Sequence, residues 1–172
     1  MNIEDLDLDL YSQNFNFGKM VGQLETIAHF NGKTDHHYIF DLGRYHKKEN
    51  IKLSIETSLK FFCHDYNLTR IVNPKEYLLE ILRDNWFYSY QDTREYHLID
   101  KGNNFSFYHL DWKTEYVQEF IKLLFESLNP TEVYKVDMVQ QIGYYANTWE
   151  NIAFETPQHD LWDYMLELRH HD

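Results

Sequence analysis

Ten His residues stand among 28 Asp and Glu, so metal binding and acid–base chemistry are the first activities to weigh. Asp35-His36-His37 and His170-His171-Asp172 each place two imidazoles beside a carboxylate. Adjacent residues of a strand point to opposite faces, so neither pair chelates one ion if its backbone is extended. The helical His-Glu-x-x-His spacing, which turns two imidazoles toward one metal, does not occur. The terminal His-His-Asp reads as a solvated tail, and no metal or other cofactor is expected. Glu150 and Glu155 sit five residues apart around an apolar stretch. A catalytic carboxylate pair needs two environments that separate its pKa values, and a solvated face is the plainer reading here. Gly-x-Ser-x-Gly, Gly-x-x-x-x-Gly-Lys and Gly-x-Gly-x-x-Gly are all missing, so serine-hydrolase, P-loop and Rossmann chemistry lack their markers. Cys63 is the one cysteine. It permits neither an intrachain disulfide nor a Cys-based zinc site. Between Phe61, Phe62 and His64 it reads as a small core residue.

The chain has 172 residues, the length of one domain spanning 1–172. Its 14 Tyr, 12 Phe and 4 Trp make it 17% aromatic, which excludes a disordered acidic chain. The formal net charge is −12. Nucleic-acid backbones need Lys and Arg to replace their counterions, so nucleic acid is not an expected partner. The rings of Phe105, Phe107 and Tyr108 suggest a stacking platform, but their flanks are Asp100, Lys101 and Asp111 rather than a basic surface. No apolar run reaches the length of a membrane span. The start, MNIEDLDLDL, has acids where a signal peptide has bases. A cytoplasmic location is therefore expected.

The charge is uneven. Residues 1–10 hold Glu4, Asp5, Asp7 and Asp9 with no Lys or Arg. Residues 149–172 hold Glu150, Glu155, Asp160, Asp163, Glu167 and Asp172 against Arg169 alone. Asp5, Asp7 and Asp9 alternate with Leu6, Leu8 and Leu10, so an extended backbone would line three carboxylates on one face. Such a ladder either blocks unwanted pairing at an edge strand or faces a basic partner. Rings are paired at Tyr144-Tyr145 and stand beside acids at Trp149-Glu150 and Trp162-Asp163-Tyr164. Tyr and Trp supply rigid amphipathic contact area at interfaces, and carboxylates speed the approach of a basic partner.

These residues need elements to hold them. Asn73-Pro74-Lys75-Glu76 is a helix start. Leu78, Leu79, Ile81, Leu82 and Trp86 continue it at helical spacing, predicting a helix over 74–86. A second stripe, from Tyr116 to Leu128, predicts a helix over 113–128 that Asn129-Pro130 ends. Tyr96–Ile99 and Phe105–Leu110 flank a turn and read as a hairpin. Even positions are mostly apolar from Tyr134 to Leu168, a period of two that predicts three consecutive strands facing one layer. Breaks fall near Asn147 and at Pro157–Asp160, and the last segment also fits a helix. Residues 51–64 favour a long strand, although Ile51, Ile55, Leu59 and Phe62 fit a helix equally. Residues 19–30 are open in the same way. The expected architecture is α+β, an antiparallel sheet with helices packed on one face.

The run Tyr144-Tyr145-Ala146-Asn147-Thr148-Trp149-Glu150-Asn151-Ile152-Ala153-Phe154-Glu155-Thr156, followed by Leu161-Trp162, resembles the C-terminal region of small immunity proteins from bacterial polymorphic-toxin and contact-dependent growth inhibition systems. The resemblance covers some 25 residues. The sequel typical of that group, an aromatic strand ending in His-Phe-Gly, is replaced here by Trp162-Asp163-Tyr164-Met165-Leu166. The resemblance implies a cytosolic, acidic, α+β protein that binds a cognate toxin domain, and it carries over no site residue. Charge then implies that the toxin is basic, as nucleases are. The residues expected to meet it are Asp5, Asp7, Asp9, Tyr144, Trp149, Glu150, Glu155, Asp160, Trp162 and Asp163. A DNA-mimic inhibitor of a restriction or phage enzyme is the second expectation, although residues 11–148 are nearly balanced in charge. A small hydrolase using His97 and His109 with carboxylates is the third. Oligomeric state is not legible.

Overall fold

The computed structural model describes residues 8–31, 37–87 and 110–171. In chain order these form α1 (Leu8–Asn31), β1 (His37–His46), α2 (Ile51–Leu59), β2 (Cys63–Arg70), α3 (Pro74–Glu80) with a π-helical continuation (Ile81–Trp86), α4 (Leu110–Leu128), β3 (Glu132–Gln141), β4 (Thr148–Glu155) and β5 (Trp162–His171). The fold is α+β. Its five strands form one antiparallel sheet in the order β1-β5-β4-β3-β2.

Both periodic helices form, and their boundaries have physical causes. Pro74 opens α3 at a position where a missing N–H costs nothing, although Asn73 does not cap it with its side chain. The helix widens at its end, where the Phe87 N–H bonds the Leu82 carbonyl at 2.7 Å. α4 stops at Asn129, which takes a left-handed φ of 43°. The open segments resolve as helix. Residues 19–30 belong to α1, with Met20, Leu24 and Ile27 buried at helical spacing. Residues 51–59 form α2 rather than part of a long strand. Asn50 decides this, because its side chain accepts the Leu53 N–H at 3.0 Å and caps the first turn. The alternating N-terminal ladder is likewise not a strand where it is described, since α1 begins at Leu8. The hairpin of residues 96–110 lies outside the described residues except for Leu110, which starts α4.

Three consecutive C-terminal strands form, and the last is a strand rather than a helix. The two faces of the sheet carry separate cores. α1, α3 with its π turn, and α4 cover one face, packing Phe120 and Leu124 with Phe40, Leu42, Ile152, Phe154, Leu166 and Leu168. α2 lies on the other face, where Ile51, Ile55 and Leu59 meet Cys63, Tyr66, Val136, Ala153 and Met165. Each fully buried large apolar side chain contributes about 1.5–3 kcal/mol. The even residues of the last three strands do not share one layer. Val133 pairs with Phe154 and Tyr134 with Ala153, so Tyr134 and Val136 face α2 while Ile152 and Phe154 face the larger helix layer. Cys63 is the expected core residue, and burial raises its thiol pKa.

Candidate functional site

The register of the sheet decides which expected residues meet. Trp162 and Tyr164 alternate with Asp163, and Trp149 with Glu150, so each ring and its neighbouring acid point to opposite faces. Glu150 and Glu155 also fall on opposite faces. Glu150 accepts a hydrogen bond from the Tyr77 hydroxyl and lies 3.9 Å from Lys135 Nζ. Glu155 sits across from Glu132. Asp163 was expected at the surface, yet it is 0% exposed. Its carboxylate accepts Lys47 Nζ at 2.7 Å, Ser54 Oγ at 2.7 Å and the Thr156 N–H at 3.0 Å. It ties α2 to β1 and β5 and cannot meet a partner.

The remaining residues divide between the two ends of β5, about 30 Å apart for ten residues of strand. Trp162 stacks on His46 with centroids 4.1 Å apart, and Asp160 lies 3.6 Å from His159. The start of α1 overhangs this end. Its Asn14 accepts from Arg44 at 2.8 Å, and its Phe17 packs on Tyr164. Asp9 lies in the opening turns of that helix, so its backbone belongs to the Asp160 end. Asp5 and Asp7 lie outside the described residues, as do His97 and His109. Tyr144 and Trp149 occupy the opposite end. The expected acidic ring-rich patch is therefore two separate places.

The Tyr144 end is the more developed site. α2 covers only part of its sheet face, and beyond it the sheet is covered by the loop between β3 and β4. Along β5 this face presents Met165, Glu167, Arg169 and His171. Glu167 is the hub. Its Oε1 accepts the Tyr45 hydroxyl at 3.2 Å, and its Oε2 accepts the Tyr145 hydroxyl at 3.0 Å. The Tyr145 hydroxyl also lies 3.2 Å from Asn151 Oδ1. Burial, then the Glu167 charge, pushes Tyr45 up to about 12. The same two causes raise Tyr145, so both hydroxyls stay protonated and donate to the carboxylate.

Anchoring Tyr145 turns its neighbours outward. Tyr144 is 68% exposed, and Phe61 is 74% exposed. The Ile142 N–H bonds the Phe62 carbonyl at 2.7 Å, holding the loop beside the α2–β2 turn. Phe62 meets Tyr145 edge-on at 4.9 Å, and Trp149 meets it at 5.9 Å. Phe61, Ile142 and Tyr144 thus form an exposed apolar rim, with Ile39 on the β1 side. His171 is not a solvated tail, since it ends β5 half-buried against Tyr144 at 5.7 Å.

Of the residues singled out in the sequence as contacts, Tyr144 and Trp149 lie at this end, whereas Glu167, Arg169, Asn151 and Tyr45, which build it, were not among them. One signal was available. Asp163, Glu167 and Arg169 fall on the odd positions of a strand whose even positions from Trp162 to Leu168 are apolar or aromatic, so charged groups face a layer of the fold. Among the described residues no group of three His, Cys, Asp or Glu is placed to hold a metal ion. No described helix is long and apolar enough to cross a membrane. Compared with protein-family models, with curated proteins and with solved structures, the chain matches none.

Proposed function

We propose that this chain is a non-enzymatic binding protein of the immunity type, which neutralises a cognate basic toxin domain such as a nuclease. The observation that carries this reading is the rim of Phe61, Ile142 and Tyr144 at one end of the sheet. Large apolar side chains left exposed beside rigid rings favour partner contact. The acids need not lie in that contact. A net charge of −12 attracts a cationic partner over the Debye length of about 8 Å, and so acts on the rate of approach. Glu167 supports a binding role over catalysis, because it is buried and both its oxygens are held by tyrosine hydroxyls.

The test begins with co-purification from the native host and identification of the captured protein by mass spectrometry. With that protein purified, the chain should abolish its toxic activity at one-to-one stoichiometry. Association should slow steeply as salt is raised, and a rate indifferent to salt would reject steering. Tyr144→Ala and Phe61→Ala should each weaken the complex by about thirtyfold, the ~2 kcal/mol of a central contact residue. Unchanged affinity in both variants would move the interface elsewhere.

A further inference from the structure

α1 carries apolar groups on two opposite sides. Met20, Leu24 and Ile27 are buried on its inner side. Arg44 of β1 fixes the rotation of the helix there. Its guanidinium donates to Asn14 Oδ1 at 2.8 Å and covers the Phe17 ring at 3.6 Å. At 3.6 residues per turn, this orientation sends Tyr11, Phe15, Gly18 and Gly22 out to solvent as one stripe. Tyr11 is 62% exposed and Phe15 63%, and both glycines are exposed. The outer side of a surface helix is ordinarily polar.

The two glycines have no explanation inside the chain. A Cβ built at Gly18 or Gly22 meets nothing within 4 Å, and neither residue takes a positive φ. Glycine in a helix interior weakens the helix relative to alanine. What it supplies in exchange is a gap that lets another group come close to the backbone. Phe15 follows Tyr11 by four residues, and Gly22 follows Gly18 by four. Two rings and then two gaps at equal spacing make a surface complementary to itself.

We propose that this stripe is the contact between two copies of the chain, their α1 helices antiparallel about a two-fold axis that passes between Phe15 and Gly18. In that register Phe15 of each copy enters the gap at Gly18 of the other, and Tyr11 enters the gap at Gly22. A two-fold interface requires such reciprocity. A parallel pair would set ring against ring and gap against gap. Between Tyr11 and Gly22 the only charged residue is Lys19, so the acidity of the chain is not concentrated where the copies meet. A large ring offers about 150–250 Å² for burial, so at these exposures the four rings and the surface they cover amount to about 1,000 Å². That is the size of a weak, reversible contact, with a dissociation constant on the order of 100 μM. Tyr144 lies at the other end of β5. The pair therefore leaves the Phe61, Ile142 and Tyr144 rim open and stands whether or not that rim meets a toxin.

The test is sedimentation and NMR of the full chain over concentrations from far below to far above about 100 μM. The mean mass should rise toward two chains. The Gly18 and Gly22 amide signals and the Phe15 ring signals should move along the same curve. Gly18→Gln combined with Gly22→Gln fills both gaps with a polar helix former. As a monomer this variant should resist denaturation better than the wild type, yet it should self-associate about tenfold more weakly or worse. The gain in stability separates lost association from misfolding. Phe15→Ala should weaken association in the same way. A wild type that stays monomeric throughout would overturn the proposal. So would an association that leaves the Gly18 and Gly22 signals still, or a glutamine variant that associates like the wild type.

Discussion

Tyr45 lies directly across Gly43. A Cβ added at Gly43 would sit 2.6 Å from the Tyr45 hydroxyl oxygen and 2.9 Å from two of its ring carbons. The two residues share one face of β1, and the missing side chain lets the ring run along the strand to Glu167. Gly43→Ala should push the ring away, break that bond and cost about 1–3 kcal/mol, as overfilling a packed site does. Chemical denaturation measures the cost. The same substitution made on Tyr45→Phe should cost less, because the hydroxyl and its bond are already gone. Equal costs in both backgrounds would show that the close approach is not what holds Gly43.

Alkaline pH should find the same cluster. Tyr45 and Tyr66 ionise at about 12 in the fold, against 10.0 for an unperturbed tyrosine, and burial is the first cause in each. The native state therefore holds these protons more tightly than the unfolded state. Their contribution to stability is complete below pH 10 and is lost as pH rises from 10 toward 12. Absorbance titration should show a class of tyrosines ionising late, with unfolding beginning in that window. Glu167→Gln removes a charge that raises Tyr45 and should bring that hydroxyl into ionisation earlier. A Tyr45 titration unmoved by Glu167→Gln would reject the coupling.

How much of this was legible follows from what each element is made of. α3 and α4 carry an apolar stripe, and a proline marks the start of one and the end of the other, so periodicity alone placed them. The three C-terminal strands were legible because apolar residues recur at every second position, although β4 and β5 are covered on both faces. β1 escaped notice because Tyr38, Ile39, Phe40 and Leu42 put apolar groups on both parities. β2 escaped because an edge strand reading Cys-His-Asp-Tyr-Asn-Leu-Thr-Arg buries only Cys63 and Tyr66. α2 was ambiguous because Ile51, Ile55 and Leu59 satisfy both periods. The Glu167 cluster joins β1, β4, β5 and a loop through strand register, which no local pattern encodes. Asp163 misled for the same reason, since the partners that bury it, Lys47 and Ser54, are more than a hundred residues away in sequence.

Asp163 yields a sharp stability test. It is wholly buried, and the Lys47 side chain beside it is almost so. Removing one member of such a pair leaves an uncompensated charge, so Asp163→Ala should cost about 3–5 kcal/mol. Lys47→Met combined with Asp163→Leu removes both charges and should recover a large part of the loss. The recovery is incomplete, because the Thr156 N–H and Ser54 Oγ also lose their acceptor. Thermal or chemical denaturation of the three variants decides. A single-variant cost below 1 kcal/mol would mean that solvent reaches the pair.

The acids that guard the sheet edges are Asp41 and Asp65. β1 and β2 are the outer strands, and an unpaired edge invites another chain to pair with it. The Lys47 N–H bonds the Leu161 carbonyl, which sets the phase of the β1–β5 ladder and turns the Leu42 N–H outward. The Ile71 N–H bonds the Val133 carbonyl and does the same for Tyr66 on β2. Each outward N–H is taken by the preceding aspartate, Asp41 on Leu42 and Asp65 on Tyr66, both at 2.8 Å. A second strand would have to displace a charged, solvated acceptor at each edge. Asp41→Val and Asp65→Val together return those donors and add strand-favouring side chains. The double variant should sediment as dimers or larger species at concentrations where the wild type does not. Identical sedimentation would show that the carboxylates are not what keeps the edges apart.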